Sequence, residues 1–89
     1  MVYFSNVKAN LKKDYSIAIE LLYRLRINAG ITQSQLAKIL NVPQSFVSKV
    51  ETSERRLNII ELNEICKALG SSIIEFVTVL EKELNETKR

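Results

Sequence analysis

Residues 32–51 read TQSQLAKILNVPQSFVSKVE. The stretch resembles one amphipathic helix until Asn41-Val42-Pro43 interrupts it. Asn41 tolerates the left-handed conformation that ends a helix, and Pro43 fits a first turn, where a missing amide hydrogen costs nothing. A second helix then resumes with Gln44, Ser45, Phe46, Ser48 and Lys49 around only two well-placed apolar residues, Val47 and Val50. A small chain that breaks a good helix to build a mostly polar one has a use for the polar surface.

The same punctuation segments the rest of the chain. Thr32-Gln33-Ser34-Gln35 forms a capping box, with Ile31 and Leu36 as its hydrophobic staple. Asn58-Ile59-Ile60-Glu61 repeats it with Leu57 and Leu62, and Ser72-Ile73-Ile74-Glu75 repeats the cap without the staple. Gly30 and Gly70 supply left-handed stops. Helices are therefore expected from Asp14 to Asn28, Thr32 to Leu40, Pro43 to Glu51, Ile59 to Leu69 and Ile73 to Glu86. The first carries Ile17, Ala18, Leu21, Leu22 and Leu25 on one broad face. Residues 1–13 form an N-terminal segment without an assigned place, and residues 14–89 form one domain.

Composition agrees with an all-α fold. The chain has 89 residues, 46% hydrophobic and 26% charged, with two glycines, one proline and no strand-like alternation. Residues 1–56 carry nine basic against four acidic side chains, and residues 57–89 carry four against six. A basic front half suits a polyanion, and an acidic back half suits a separate partner or dimer face. Cys66 is the lone cysteine and histidine is absent, so neither a disulfide nor a thiolate or histidine metal site is expected. No paired-acid cleft or phosphate-cradling glycine loop is visible, so catalytic residues, metals and cofactors are all expected to be absent and the protein is not expected to be an enzyme. Nothing approaches the roughly 20 apolar residues of a membrane span. A cytoplasmic location follows as the expectation.

With Val47 and Val50 turned to the core, a rotation of about 100° per residue puts Ser45, Lys49 and Thr52 on the opposite side. Ser48 and Phe46 flank them, and Gln44 stands at the amino-terminal edge. Gln pairs bidentately with adenine, Lys donates to guanine and Ser serves either role. Phe46 at the rim can meet a thymine methyl or the backbone beside it. Two short helices joined by a tight turn, the second presented outward, make a helix-turn-helix unit for double-stranded DNA. Arg55 and Arg56 follow in a loop placed for phosphate contact, unless Glu51 or Glu54 pairs with them.

The run Gly30 to Ala37, the run Asn41 to Glu51 and the stretch Leu62 through Gly70 resemble the lambda-repressor/Cro type of helix-turn-helix regulator. The resemblance spans about residues 17–77 and implies a compact five-helix, lambda-repressor-like DNA-binding domain. It implies base contacts from Gln44, Ser45, Lys49 and Ser48, a backbone contact from Gln33, and a structural role for Glu51. Asn41 and Ser53 stand where the family often has glycine, and Pro43 replaces a frequent capping Ser or Thr. Small phage repressors and restriction–modification controllers are the members of matching size.

The last helix is apolar on two sides. Ile73, Val77, Leu80 and Leu84 follow a four-three-four seam, and Ile74, Phe76 and Val79 add a second side. One side closes the core, and the other fits a second copy in a two-fold arrangement. The expected homodimer interface is Ile74, Val77 and Val79, with Leu80 shared with the core. The five helices use up the chain, so no small-molecule ligand is expected. Two rival readings remain: an antitoxin that binds DNA and holds a toxin, and a protein-interaction adaptor of the same fold.

Overall fold

The computed structural model describes the backbone of residues 4–87 and the side chains of residues 11–86. The described chain is five helices without a strand: α1 (Phe4–Asn28), α2 (Gln33–Leu40), α3 (Gln44–Glu51), α4 (Ile59–Ala68) and α5 (Ile73–Thr87). α1 lies against α3 and α5, α2 against α3 and α4, and α4 against α5.

The helix ends are set by local chemistry. Thr32 Oγ1 accepts the Gln35 N–H at 3.0 Å, and the Gln35 side chain accepts the Thr32 N–H at 2.9 Å. Asn58 and Glu61 make the same reciprocal pair at 2.7 and 3.0 Å. At the third site only one arm forms. Ser72 accepts the Glu75 N–H, while the Glu75 carboxylate takes the neighbouring Ser71 hydroxyl instead. Asn41 adopts φ 59°, ψ 48° and closes α2, its N–H bonding Lys38 O while that of Val42 reaches Ala37 O. Pro43 sits one position earlier than expected, as the N-cap of α3 without a side-chain cap bond.

α1 begins at Phe4 rather than near Asp14. No glycine or proline precedes Gly30, and extending an existing helix is cheap where nothing breaks it. Leu11, Lys12 and Lys13 are nevertheless exposed, so those residues add helix without adding core. Residues 1–3 lie outside the described part.

The core joins Ile19 and Leu22 of α1 to Leu36 and Ala37, then Val47 and Val50 of α3. Ile65 and Cys66 of α4, with Leu69 at its end and Phe76 of α5, complete it. Burial pushes the Cys66 thiol above its usual range, as desolvation disfavours the thiolate. One expected face is rotated. On α1 the buried stripe is Ile19, Leu22 and Arg26, while Ile17, Leu21 and Leu25 are only half-buried. On α5 Phe76 faces the core, while Val77 is exposed with Ile74 and Val79, as expected of the interface side.

Ser53 carries φ 65° in the loop after α3, a left-handed conformation in which a Cβ is strained. Ser53→Gly removes that strain against the extra chain entropy of glycine, so it should stabilise the fold by about 0.5–1 kcal/mol. Urea unfolding of both proteins checks this; a destabilised variant means the serine hydroxyl holds the turn.

Candidate nucleic-acid interface

α3 is attached to the fold by one apolar edge, Val47 and Val50, both almost fully buried. Gln44, Ser45 and Lys49 are exposed on its other side, and Ser48 is half-buried. Among the described residues the Lys49 ammonium has no carboxylate within ion-pair distance. The helix therefore offers an amide, a hydroxyl and an uncompensated cation on eight residues.

Beneath this surface runs a polar chain that fixes its geometry. Arg26 is 6% exposed, the one buried charged residue among those described. Its Nε donates to Glu51 Oε2 at 2.6 Å and its Nη2 to Glu51 Oε1 at 3.1 Å. Its Nη1 donates to the Ile31 carbonyl at 2.7 Å. One guanidinium thus ties α1 to the end of α3 and to the turn that leads into α2. Glu51 Oε1 also accepts the Gln33 amide at 2.9 Å, and Gln33 Oε1 accepts the Gln44 amide at 3.4 Å. Gln33 is engaged on both sides of its amide. Its backbone N–H, in the first turn of α2, remains available as a helix-terminal donor.

The loop from Thr52 to Asn58 folds back on the end of α3. The Lys49 carbonyl accepts the N–H groups of Glu54 and Arg55, and Ser53 N–H bonds Val50 O. Its two arginines differ. Arg55 lies 4.6 Å over the Phe46 ring and donates to both Glu61 oxygens, at 3.0 and 2.9 Å, and to Arg56 O at 2.8 Å. The Arg55 hydrogen bonds, then the Asn58 N–H, hold the Glu61 carboxyl below its usual range, and Glu61 in turn raises Arg55. The expected competitors Glu51 and Glu54 are therefore not Arg55's partners; Glu51 is taken by Arg26. Arg56 lies 4.3 Å over Tyr15 of α1, whose hydroxyl accepts the Leu57 N–H at 3.2 Å. Phe46 is half-buried against the core beneath Arg55.

Away from α3 the exposed side of α5 carries apolar side chains. Ile74, Val77 and Val79 are 72%, 41% and 44% exposed, and Leu80 is half-buried against the core. An open groove of about 470 Å³ runs between α1 and α5, with Leu21, Leu25, Ile74 and Val79 among its walls. Arg24 bonds Glu83 at 3.0 Å and fastens the two helices. No cluster of three or more potential metal-ligating side chains occurs among the described residues, and no helix there is long and apolar enough to cross a membrane.

Sequence reasoning missed Tyr15 and Glu61 as organisers of the loop and did not foresee that Arg26 is buried. The available signal for Arg26 was its place on the stripe that continues Ile19 and Leu22. Glu51→Ala leaves the Arg26 charge buried without a partner and should cost about 3–5 kcal/mol. The midpoint of denaturant unfolding measures it; a loss under about 1 kcal/mol, the size of a surface pair, would show that the pair is effectively solvated.

A helix-turn-helix family model (HTH_3) matches residues 22–76. An uncharacterized HTH-type transcriptional regulator, y4dJ, of Sinorhizobium fredii is 36% identical over 55 residues, covering 62% of this chain and 71% of the relative. Among solved structures, an XRE-family like protein of Pseudomonas syringae pv. tomato superposes with a TM-score of 0.83 at 40% identity, covering 88% of this chain and 95% of that one. The wild-type restriction–modification controller protein C.Esp1396I superposes at 0.74 with 30% identity, covering 82% and 95%. The chain thus belongs to the helix-turn-helix family of the XRE/lambda-Cro type, a family of DNA-binding transcriptional regulators rather than of enzymes.

Proposed function

We propose that the protein binds a pseudo-palindromic operator in double-stranded DNA as a homodimer, with α3 in the major groove, and so regulates transcription in the cytoplasm. The observation that carries this is the outward face of α3. Gln44, Ser45 and Lys49 stand exposed there while Glu51, the acid of that helix, is turned inward and neutralised by Arg26. Inward placement of the acid removes the group that repels phosphate and leaves the groups that read base edges. Ser48 adds a shorter donor on the flank. Gln33 and the loop after α3 supply backbone contacts, which set register without reading sequence. The likeness to a restriction–modification controller favours a regulator of that kind.

Gln44→Ala and Lys49→Ala should each cost about 1–3 kcal/mol on the preferred site and relax the base preference there. Sites selected from a random DNA pool by wild type and variants make the comparison. Equal discrimination between selected and random duplexes in all three proteins would remove these side chains from the readout.

One α3 spans only a few base pairs, and two copies on a two-fold axis double the readout over half-sites about one helical turn apart. Ile74, Val77 and Val79 form the surface that a second copy covers, with Leu80 bridging to the core. An exposed apolar face also suits an antitoxin or an adaptor, and assembly separates these readings. Wild type should sediment as a dimer, and Val79→Glu, which buries an unpaired charge, should sediment as a monomer of unchanged helical content. A monomeric wild type leaves the face to another protein, and a dimeric Val79→Glu places the interface elsewhere.

A further inference from the structure

The two loop arginines have the same charge and adjacent positions, yet they are held in opposite ways. An arginine offers two kinds of surface: the face of the guanidinium plane, which stacks on aromatic rings, and the in-plane N–H donors, which clasp carboxylates or phosphates. Arg55 has both surfaces occupied, the face by Phe46 and three in-plane donors by Glu61 and the Arg56 carbonyl. Arg56 has only its face occupied, by Tyr15. Among the described residues no carboxylate lies within ion-pair distance of it. Its in-plane donors are left for an anion outside the chain.

We propose that Arg56 is the phosphate contact of the loop between α3 and α4, and that Tyr15 of α1 is its positioning residue, with Arg55 acting as a strut and not as a contact. This rests on the DNA-binding reading above. Three bonds converge on the segment that carries Arg56. The Arg55 guanidinium holds the Arg56 carbonyl, the Tyr15 hydroxyl holds the next N–H at Leu57, and the Tyr15 ring supports the guanidinium itself. The segment starts within one turn of Lys49, because the Lys49 carbonyl anchors Glu54 and Arg55. A cation fixed beside the end of the base-reading helix meets the backbone without first ordering a long side chain, which is the usual cost of such a contact. Glu61 completes the division of labour. By neutralising Arg55 it leaves one outward cation here rather than two.

Binding of a short random-sequence duplex, titrated at several salt concentrations, tests this. Arg56→Ala should shrink the slope of log affinity against log salt by about 0.9, while Arg55→Ala leaves the slope at its wild-type value. Tyr15→Leu should weaken binding roughly two- to five-fold, and Arg56→Ala should cost less in that background than in wild type. Tyr15→Phe keeps the ring and should preserve this coupling, a distinction that a purely structural tyrosine would not show. If Tyr15→Leu does not fold, the two arginine slopes and the Arg56 cost in Tyr15→Phe still decide. A slope that changes with Arg55 and not Arg56, or additive losses from Tyr15→Leu and Arg56→Ala, would overturn the assignment alone. A wild type that does not bind the duplex overturns the DNA-binding reading, and this one with it.

Discussion

Everything about the outward helix depends on one largely buried charge pair. Arg26 and Glu51 meet at 2.6 Å with both side chains over nine-tenths buried. Such a pair adds little net stability, since desolvating two ions offsets most of their attraction. What it fixes is direction. α3 has eight residues and two buried valines, too short to be stable alone and too lightly anchored to resist rotation. A bidentate clasp at its last residue, shared with the Ile31 carbonyl ahead of α2, sets the angle between the two helices. The Gln33 amide, bonded to that same carboxylate, carries the constraint to Gln44 at the other end of α3. A polar helix is thereby held as firmly as an apolar one, with its polar groups left on the outside.

The loop after α3 repeats the device at the surface. Arg55 spans Phe46 of α3 and Glu61 of α4, so the capping acid of one helix also fixes the exit from another. That double duty explains why the Glu61 carboxyl sits below its ordinary value of 4.5. A group with a lowered folded value contributes stability that is present above its unfolded value and lost as pH falls through the folded one. The Arg55–Glu61 contact is thus complete above the ordinary carboxylate range and is lost as pH falls through the lowered Glu61 value.

How much of this was legible in the sequence follows from the range of each interaction. The caps at Thr32 and Asn58, the left-handed Asn41 and the stops at Gly30 and Gly70 are local, and each boundary they imply lies within a residue or two of the observed one. The outward face of α3 was legible because Val47 and Val50 lie on one edge of it and the polar residues on the other. The stripe of α1 was not. A search for apolar periodicity discards arginine, and Arg26 is buried only because Glu51 arrives from 25 positions away. On α5 two apolar sides were legible, and only the fold decides that Phe76 closes the core while Ile74, Val77 and Val79 stay exposed. Ser53 was marked as an ill-fitting residue for its turn, and its φ of 65° agrees. Tyr15 and Glu61 gave no local sign of reaching the loop, since both act through the fold.

Charge and apolar surface are sorted along the molecule in one consistent sense. Lys49, Arg55 and Arg56 cluster at the end of α3 and its loop, whereas α5 carries Glu75, Glu81, Glu83 and Glu86 against Lys82 alone among its described cations. An approaching polyanion is attracted to one region and repelled from the other before any contact forms. The repelled region is also the apolar one, with Ile74 and Val79 standing out of α5. A second copy docked there brings two acidic helices near each other, an arrangement that tolerates contact only through apolar atoms while the carboxylates stay at the solvated rim. Arg24 already draws Glu83 back onto α1, which clears part of that rim. In the proposed complex the apolar face and the acid balance of α5 serve one geometry, with α3 turned toward DNA and α5 turned away from it.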